Sequence, residues 1–224
     1  MNHKILSKIE SILHINPGLL RNRALLEKII NYEFGVRVSL DTNDISKLTE
    51  LVDDAVLEKY FSEIWQPHTK KFKYSGLSLI DEVNALNPKS VLDVGCGYNE
   101  FKNKIKNLIG IDPYNKNADI KTKILDYDPK DKFDVVLALG SINFGDTNKI
   151  FSELEHTINL CKKNGILFFR VNPGLKHDPP ESRWISFYPW DSNFVVNCAR
   201  EFGADILDMR NDSNERMYFV WRKK

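Results

Sequence analysis

VLDVGCGYNEFKNKIKNLIGIDPYN, residues Val91 to Asn115, reads as a buried strand, a glycine turn, a very short helix, a second buried strand and a closing carboxylate. Val91, Leu92 and Val94 are apolar and β-prone. Gly95 and Gly97 then let the backbone turn sharply and approach a ligand closely. Leu108, Ile109 and Ile111 form the next strand, and Asp112 stands at its end. That order predicts two parallel strands with a nucleotide-sized ligand lying across their carboxyl ends. The Asp112 carboxylate is placed to take both hydroxyls of a ribose.

A dinucleotide would need G-x-G-x-x-G, whose third glycine packs the helix beneath a pyrophosphate. Here the run is Gly95-Cys96-Gly97-Tyr98-Asn99-Glu100, with glutamate at the third position. An anion there repels a pyrophosphate, so neither NAD nor FAD is expected. The stretch instead resembles motif I of the class I S-adenosylmethionine (SAM) methyltransferases, roughly V-L-D-x-G-C-G. Asp93, Gly95 and Gly97 fall on its signature positions, and Asp112 falls on the acidic position after the second strand. SAM carries no phosphate and does not require the third glycine.

Hydrophobic periodicity divides the rest of the chain. Residues 1–75 read as a helical N-terminal cap. Ile5, Ile9, Ile12 and Leu13 share one face of a first helix, which Pro17 and Gly18 break. A second runs from about Leu19 to Tyr32 with Leu25, Leu26, Ile29 and Ile30 inward. Asp41 or Thr42 is expected to cap a third, from Ile45 to Trp65. Residues 76–224 read as an α/β domain. A helix over Leu77–Leu86 leads to strands at Ser90–Val94, Leu108–Ile111, Ile120–Ile124, Phe133–Leu139 and Ile166–Val171. A helix over Lys149–Cys161 is capped by Asn164-Gly165, and another covers Asn193–Phe202. Ala204–Met209 and Met217–Trp221 close the chain as a hairpin. This order matches the Rossmann-like class I methyltransferase sheet, mostly parallel with an antiparallel last strand.

The resemblance assigns roles to residues. The Gly95-Cys96-Gly97 turn should lie against the amino-acid end and ribose of SAM, and Asp93 should face its ammonium. Asp112 is the ribose ligand, and Pro113 could flank the adenine. Asp126, after the third strand, takes the adenine exocyclic amine, with the backbone N–H of Tyr127 beside the ring. Leu139, Gly140 and Ser141 end the fourth strand, where the methyl group should sit. Gly140, without a side chain, would let acceptor and sulfonium meet. The acceptor side is expected to include Asn143, Phe144, Asn172, Trp184 and Tyr188. If the acceptor must lose a proton, His177 is the best-placed base. It lies in the aromatic loop Asn172–Trp190. Tyr60, Trp65 and Tyr74 of the cap are expected to meet Trp184 and Tyr188 over the crevice. His156 is expected to face solvent.

Composition narrows the acceptor. Of 224 residues 42% are hydrophobic and 28% charged, with net charge +1 from 32 basic and 31 acidic side chains. Charge is balanced on both sides of Ser75, which gives no strong nucleic-acid signature. The lysines at 70, 71 and 73, with Phe72 and Tyr74 between, read as a solvated junction. Cys96, Cys161 and Cys198 show no metal or disulfide spacing, so no metal is expected and a reducing cytoplasm fits. No apolar run is long enough for a bilayer. Gly140-Ser141-Ile142-Asn143-Phe144 lacks the prolines of DNA amino-methyltransferases, and no Pro-Cys dipeptide supplies a cytosine C5 nucleophile. The expectation is a SAM-dependent methyltransferase acting on an unidentified acceptor, with a small molecule favoured. RNA or protein acceptors, an aminopropyl transferase using decarboxylated SAM, and a non-catalytic SAM-fold subunit stay open.

Overall fold

The computed structural model describes residues 1–65, 77–173, 180–211 and 216–224. His177, Tyr74 and the lysine cluster at 70, 71 and 73 lie outside them. The chain forms two compact units: Met1–Gln66 with Lys176–Ser186, and Pro67–Leu175 with Phe187–Lys224. Among the described residues no helix is long and apolar enough to cross a membrane.

The first unit holds α1 (His3–Ile15), α2 (Arg23–Phe34) and α3 (Ile45–Lys59). Ile5, Ile9 and Leu13 face inward from α1, and Leu26, Ile30 and Phe34 from α2. Leu25 points outward, contrary to the sequence reading; Phe34, two turns beyond Leu26, takes the inward place. The cap of α3 is Asp44, which accepts from Ser46 N, while Thr42 Oγ1 accepts from Asp44 N one step earlier. A wider turn, Tyr60–Ile64, follows α3.

Asn2 ties this unit together. Its Oδ1 accepts from Lys4 N and Ile5 N, satisfying two orphan donors of α1. Its Nδ2 donates to Asp53 Oδ1 on α3 at 2.8 Å and to the Trp184 carbonyl at 2.7 Å. Lys4 Nζ reaches the Ile185 carbonyl, Arg183 the Glu33 carbonyl, and the Trp184 ring packs on Phe34 with centroids 4.7 Å apart. Asn2→Ala is expected to lower stability by about 2–3 kcal/mol, because a cap is lost and two acceptors lose their donor. Chemical denaturation followed by helix circular dichroism checks this, and an unshifted transition would refute it.

The second unit is a six-stranded sheet flanked by α4 (Leu79–Ala85), α5 (Thr147–Leu160) and α6 (Ser192–Glu201). Its strands are β1 (Val91–Val94), β2 (Leu108–Ile111), β3 (Phe133–Leu139), β4 (Cys161–Val171), β5 (Ala204–Asn211) and β6 (Met217–Lys223), in spatial order β2-β1-β3-β4-β6-β5. The β1, β2, β3 and β4 strands pair parallel, and β6 runs antiparallel between β4 and β5. The fold class therefore stands as expected. Helices cover both faces, so β3 and β4 can be apolar without alternation. Leu92, Val136, Leu167, Phe169 and Trp221 point to one face, which α5 and α6 cover. Val91, Val135, Leu137, Phe168 and Val220 point to the other, with Leu79 and Val83 of α4.

Three local expectations fail. Ile120–Ile124 is not a strand; only Ile120 pairs, with Ile111, before a short turn at Ile124–Asp126. Lys121, Thr122 and Lys123 give that edge no apolar face to bury. No helix joins β1 to β2. Asn99 and Asn103 adopt left-handed conformations, φ 56° and 65°, and break the segment into successive turns, yet Phe101 and Ile105 still reach the core. Asn164-Gly165 does not cap α5, which ends at Leu160. Residues 162–165 bulge inside β4, opposite Asp134 alone. Gly165 is required there, since a Cβ would lie 2.5 Å from Cys161 Sγ and 2.8 Å from the Asp134 carbonyl.

Candidate functional site

Neighbours β2 and β3 flank β1 on opposite sides, so the chain leaves β1 and β3 at a switch point where a crevice opens at the carboxyl ends. Of the residues expected from sequence, Asp93, Gly95, Cys96, Gly97, Asp112 and Ser141 lie together at that rim. Gly95 N and Cys96 N both donate to the Ile111 carbonyl, at 2.8 and 3.0 Å, and Gly97 N donates to Asp112 Oδ2 at 3.0 Å. The turn after β1 is thus bolted to the end of β2. Gly95 and Gly97 have φ of 68° and 53°. Gly95 serves a second purpose: a Cβ on it would lie 2.3 Å from Ser141 Cβ, so its bareness admits the first residue past Gly140 at the end of β3.

Asp112 is buried and heavily bonded. Its Oδ1 accepts from Tyr114 N and Asn115 N, both at 2.8 Å, in addition to the Gly97 bond on Oδ2. With Oδ1 filled, Oδ2 is the oxygen left for a ligand hydroxyl. Pro113 is half-buried beside it. Asp93 differs sharply. It is 3% exposed, and no described residue donates a hydrogen bond to it. Burial, and then the Asp112 carboxylate, push its pKa up to about 7. Cys96 is half-buried. Burial first, then Asp93, Asp112 and Asp119, hold its thiol well above the ordinary range, so it is no thiolate nucleophile.

Asp126 is exposed on the turn Ile124–Asp126. The Tyr127 N–H, read as free to meet a ring, donates to the Ile124 carbonyl at 3.2 Å. Its ring is half-buried near Phe133, centroids 6.5 Å apart. Gly140 has φ 106° and open space where a Cβ would stand, the nearest atom being Asn143 Nδ2 at 3.9 Å. Leu139 is half-buried before it, and Ser141 Oγ is buried without a hydrogen-bond partner among the described residues.

Asn143 is 5% exposed and fully engaged: Nδ2 donates to the Gly140 carbonyl and Oδ1 accepts from Asn172 N, each at 2.9 Å. Its role is to clamp the end of β3 to the end of β4. Trp190 reinforces that clamp, donating from Nε1 to the Ile142 carbonyl and from N to the Asn172 carbonyl. Phe144 and Phe187 pair across an antiparallel bridge with centroids 5.4 Å apart, and both are half-buried. Tyr188 N donates to the Asn143 carbonyl, and its ring packs on Trp190 and Phe194. Trp184 belongs to the helical unit, as described above. His177 lies outside the described residues.

Sequence reading missed His156. It is half-buried rather than freely solvent-facing: Nε2 lies 2.9 Å from the Tyr127 carbonyl. Its neighbours on α5, Glu153 and Thr157, are polar residues turned toward the protein rather than toward water. Both are buried, and burial pushes the Glu153 pKa up to about 7 against the opposing pull of Lys149.

No protein-family profile and no curated protein matches the chain. Solved structures do match. The N-methyltransferase NodS from Bradyrhizobium japonicum WM9, crystallised with S-adenosyl-L-homocysteine, aligns at TM-score 0.57 and 14% identity over 75% of this chain and 96% of its own. The 1,6-didemethyltoxoflavin-N1-methyltransferase of Burkholderia thailandensis aligns at TM-score 0.59 and 14% identity over 76% and 88%. Magnesium protoporphyrin IX methyltransferase from Synechocystis PCC 6803, crystallised with SAM, aligns at TM-score 0.56 and 12% identity over 77% and 97%. The chain thus has the fold of the class I SAM-dependent methyltransferases.

Proposed function

We propose that the chain is a SAM-dependent methyltransferase acting on a small molecule. The observation that carries this reading is Asp93: a buried carboxylate with no donor from the described residues, beside a two-glycine turn and a second buried carboxylate. An uncompensated buried acid is costly, and the ammonium of SAM is a partner of the right charge. Ser141 Oγ, buried at the same rim with no partner among the described residues, adds a second polar group that a ligand can satisfy. Bound there, SAM supplies a methyl on a positively charged sulfur, an excellent leaving group.

The protein's own part is then chiefly alignment and exclusion of water. Asp93 takes the ammonium, Asp112 Oδ2 a ribose hydroxyl, and Asp126 the exocyclic amine of the base. Gly140 leaves room for the acceptor to approach, held in place by the Asn143 clamp. Phe144 and Phe187 give that end an aromatic wall suited to a compact, partly apolar acceptor. The balanced charge supports the same class over a polyanion.

Titration calorimetry with SAM and S-adenosyl-L-homocysteine tests the cofactor. Asp93→Asn keeps the shape and removes the charge, and is expected to weaken SAM binding about 10- to 100-fold, the worth of a charge-assisted hydrogen bond. Because burial and then Asp112 push the Asp93 carboxyl up to about 7 and only its ionised form attracts an ammonium, wild-type affinity should rise from pH 6 to pH 8. The Asp93→Asn curve should be flat. Equal affinity in wild type and variant would refute the assignment. A labelled-methyl screen over metabolite, protein and RNA pools then separates the acceptor classes.

A further inference from the structure

The chain between β2 and β3, residues 112–132, is long for a connection inside a compact domain. Its far half carries Asp126, and Ile124 and Tyr127 on either side of it pack against the core. Ile120 pairs once with Ile111, and the turn at Ile124–Asp126 is closed from within by Tyr127 N to the Ile124 carbonyl at 3.2 Å. The Leu125 and Asp126 side chains are exposed, and the Asp126 N–H donates to the Lys123 carbonyl at 3.2 Å within the turn. A further polar tie comes from outside the turn. His156, on the third turn of α5, places Nε2 2.9 Å from the Tyr127 carbonyl oxygen. A carbonyl only accepts, so Nε2 carries the hydrogen.

The two backbone groups of Tyr127 thereby have separate duties. Its N–H closes the turn, and its carbonyl fixes the turn to a helix that is itself built into the core through Ile150, Leu154 and Ile158. The tether acts one residue from Asp126. A side chain on a loose turn loses recognition of a base through the entropy of ordering it; a turn pinned to a rigid element does not.

We propose that His156 is a positioning residue for the purine ring: by holding the Tyr127 carbonyl it fixes the Ile124–Tyr127 turn so that the neighbouring Asp126 can read the exocyclic amine. This rests on the cofactor reading above and extends it to a residue that touches no ligand.

The test compares S-adenosyl-L-homocysteine with S-inosyl-L-homocysteine, which lacks the exocyclic amine, by calorimetry. Wild type is expected to prefer the adenosyl ligand by about tenfold or more, as expected for one hydrogen bond to a charged group. His156→Ala should lower adenosyl affinity to near the inosyl value and leave inosyl affinity within about twofold. His156→Gln, whose amide reaches as Nε2 does, should restore most of the preference. Should the alanine variant fail to fold, the glutamine variant and Asp126→Ala, expected to show the same lost preference, carry the comparison. Equal loss for both ligands, or an unchanged preference in His156→Ala, would show the histidine to be merely structural and overturn the proposal. A wild type without preference overturns the proposal alone, whereas a wild type that binds neither ligand overturns the cofactor reading beneath it.

Discussion

Gly95→Ala is expected to unfold the sheet unit at markedly lower denaturant, with a loss of about 3–4 kcal/mol. Two costs add. Residue 95 sits at φ 68°, where an L side chain costs about 1–2 kcal/mol. The new methyl also lands 2.3 Å from Ser141 Cβ, far inside contact distance, and the neighbour is the root of a short side chain with nowhere to swing. Overpacking of this kind costs about 1–3 kcal/mol. The pair is separable. In the double variant Gly95→Ala with Ser141→Gly the clash is gone and only the backbone strain remains, so roughly half of the loss should return. A double-mutant cycle in urea reads this coupling directly. No recovery in the double variant would mean that Ser141 is not what the bare glycine accommodates.

That double use of Gly95 shows where sequence reading reached and where it stopped. The D-x-G-x-G run and the carboxylate after β2 were legible because backbone conformation and chain order are local: Gly95 and Gly97 do adopt positive φ, and Asp93 and Asp112 do come to one rim. What fills the space beside Gly95 was not legible, because Ser141 arrives from a strand further along the chain. The same limit applies to Asn143. Its amide reads as substrate chemistry, yet both ends are taken by Gly140 and Asn172.

The errors in secondary structure have local causes too. Asparagine tolerates left-handed backbone, so Asn99 and Asn103 dissolve a helix that Phe101 and Ile105 would otherwise favour. Asn164 and Gly165 carry helix-stop chemistry, and the chain uses it instead to bulge β4 past Asp134. His156, on an amphipathic helix, reads as part of a wet face. Periodicity cannot tell a face turned to water from one turned to a polar loop, and here Tyr127 is on the other side.

Lowering the pH should stabilise the ligand-free protein, the reverse of ordinary acid denaturation. Asp93 rises from 3.8 to about 7, chiefly by burial and secondarily through Asp112; Glu153 rises from 4.5 to about 7 by burial, which Lys149 only partly offsets. A carboxyl whose folded pKa exceeds its unfolded value binds more protons when folded. Its stabilising protonation is fully present below the unfolded value and is lost as pH climbs through about 7. Between pH 8 and pH 5.5 each group contributes about 2 kcal/mol, or about 4 kcal/mol together, in favour of the lower pH. Glu153→Gln should remove about half of that dependence, and Asp93→Asn the other half. Saturating SAM separates the two groups. An ammonium on Asp93 favours its ionised form, so ligand should cancel the Asp93 half and leave the Glu153 half intact. Denaturant midpoints measured at both pH values, with and without SAM, give all four quantities. A ligand-free protein equally stable at pH 8 and pH 5.5 would show that neither carboxyl is held uncharged by the fold. A SAM effect that survives Asp93→Asn unchanged would show that the ammonium is received elsewhere.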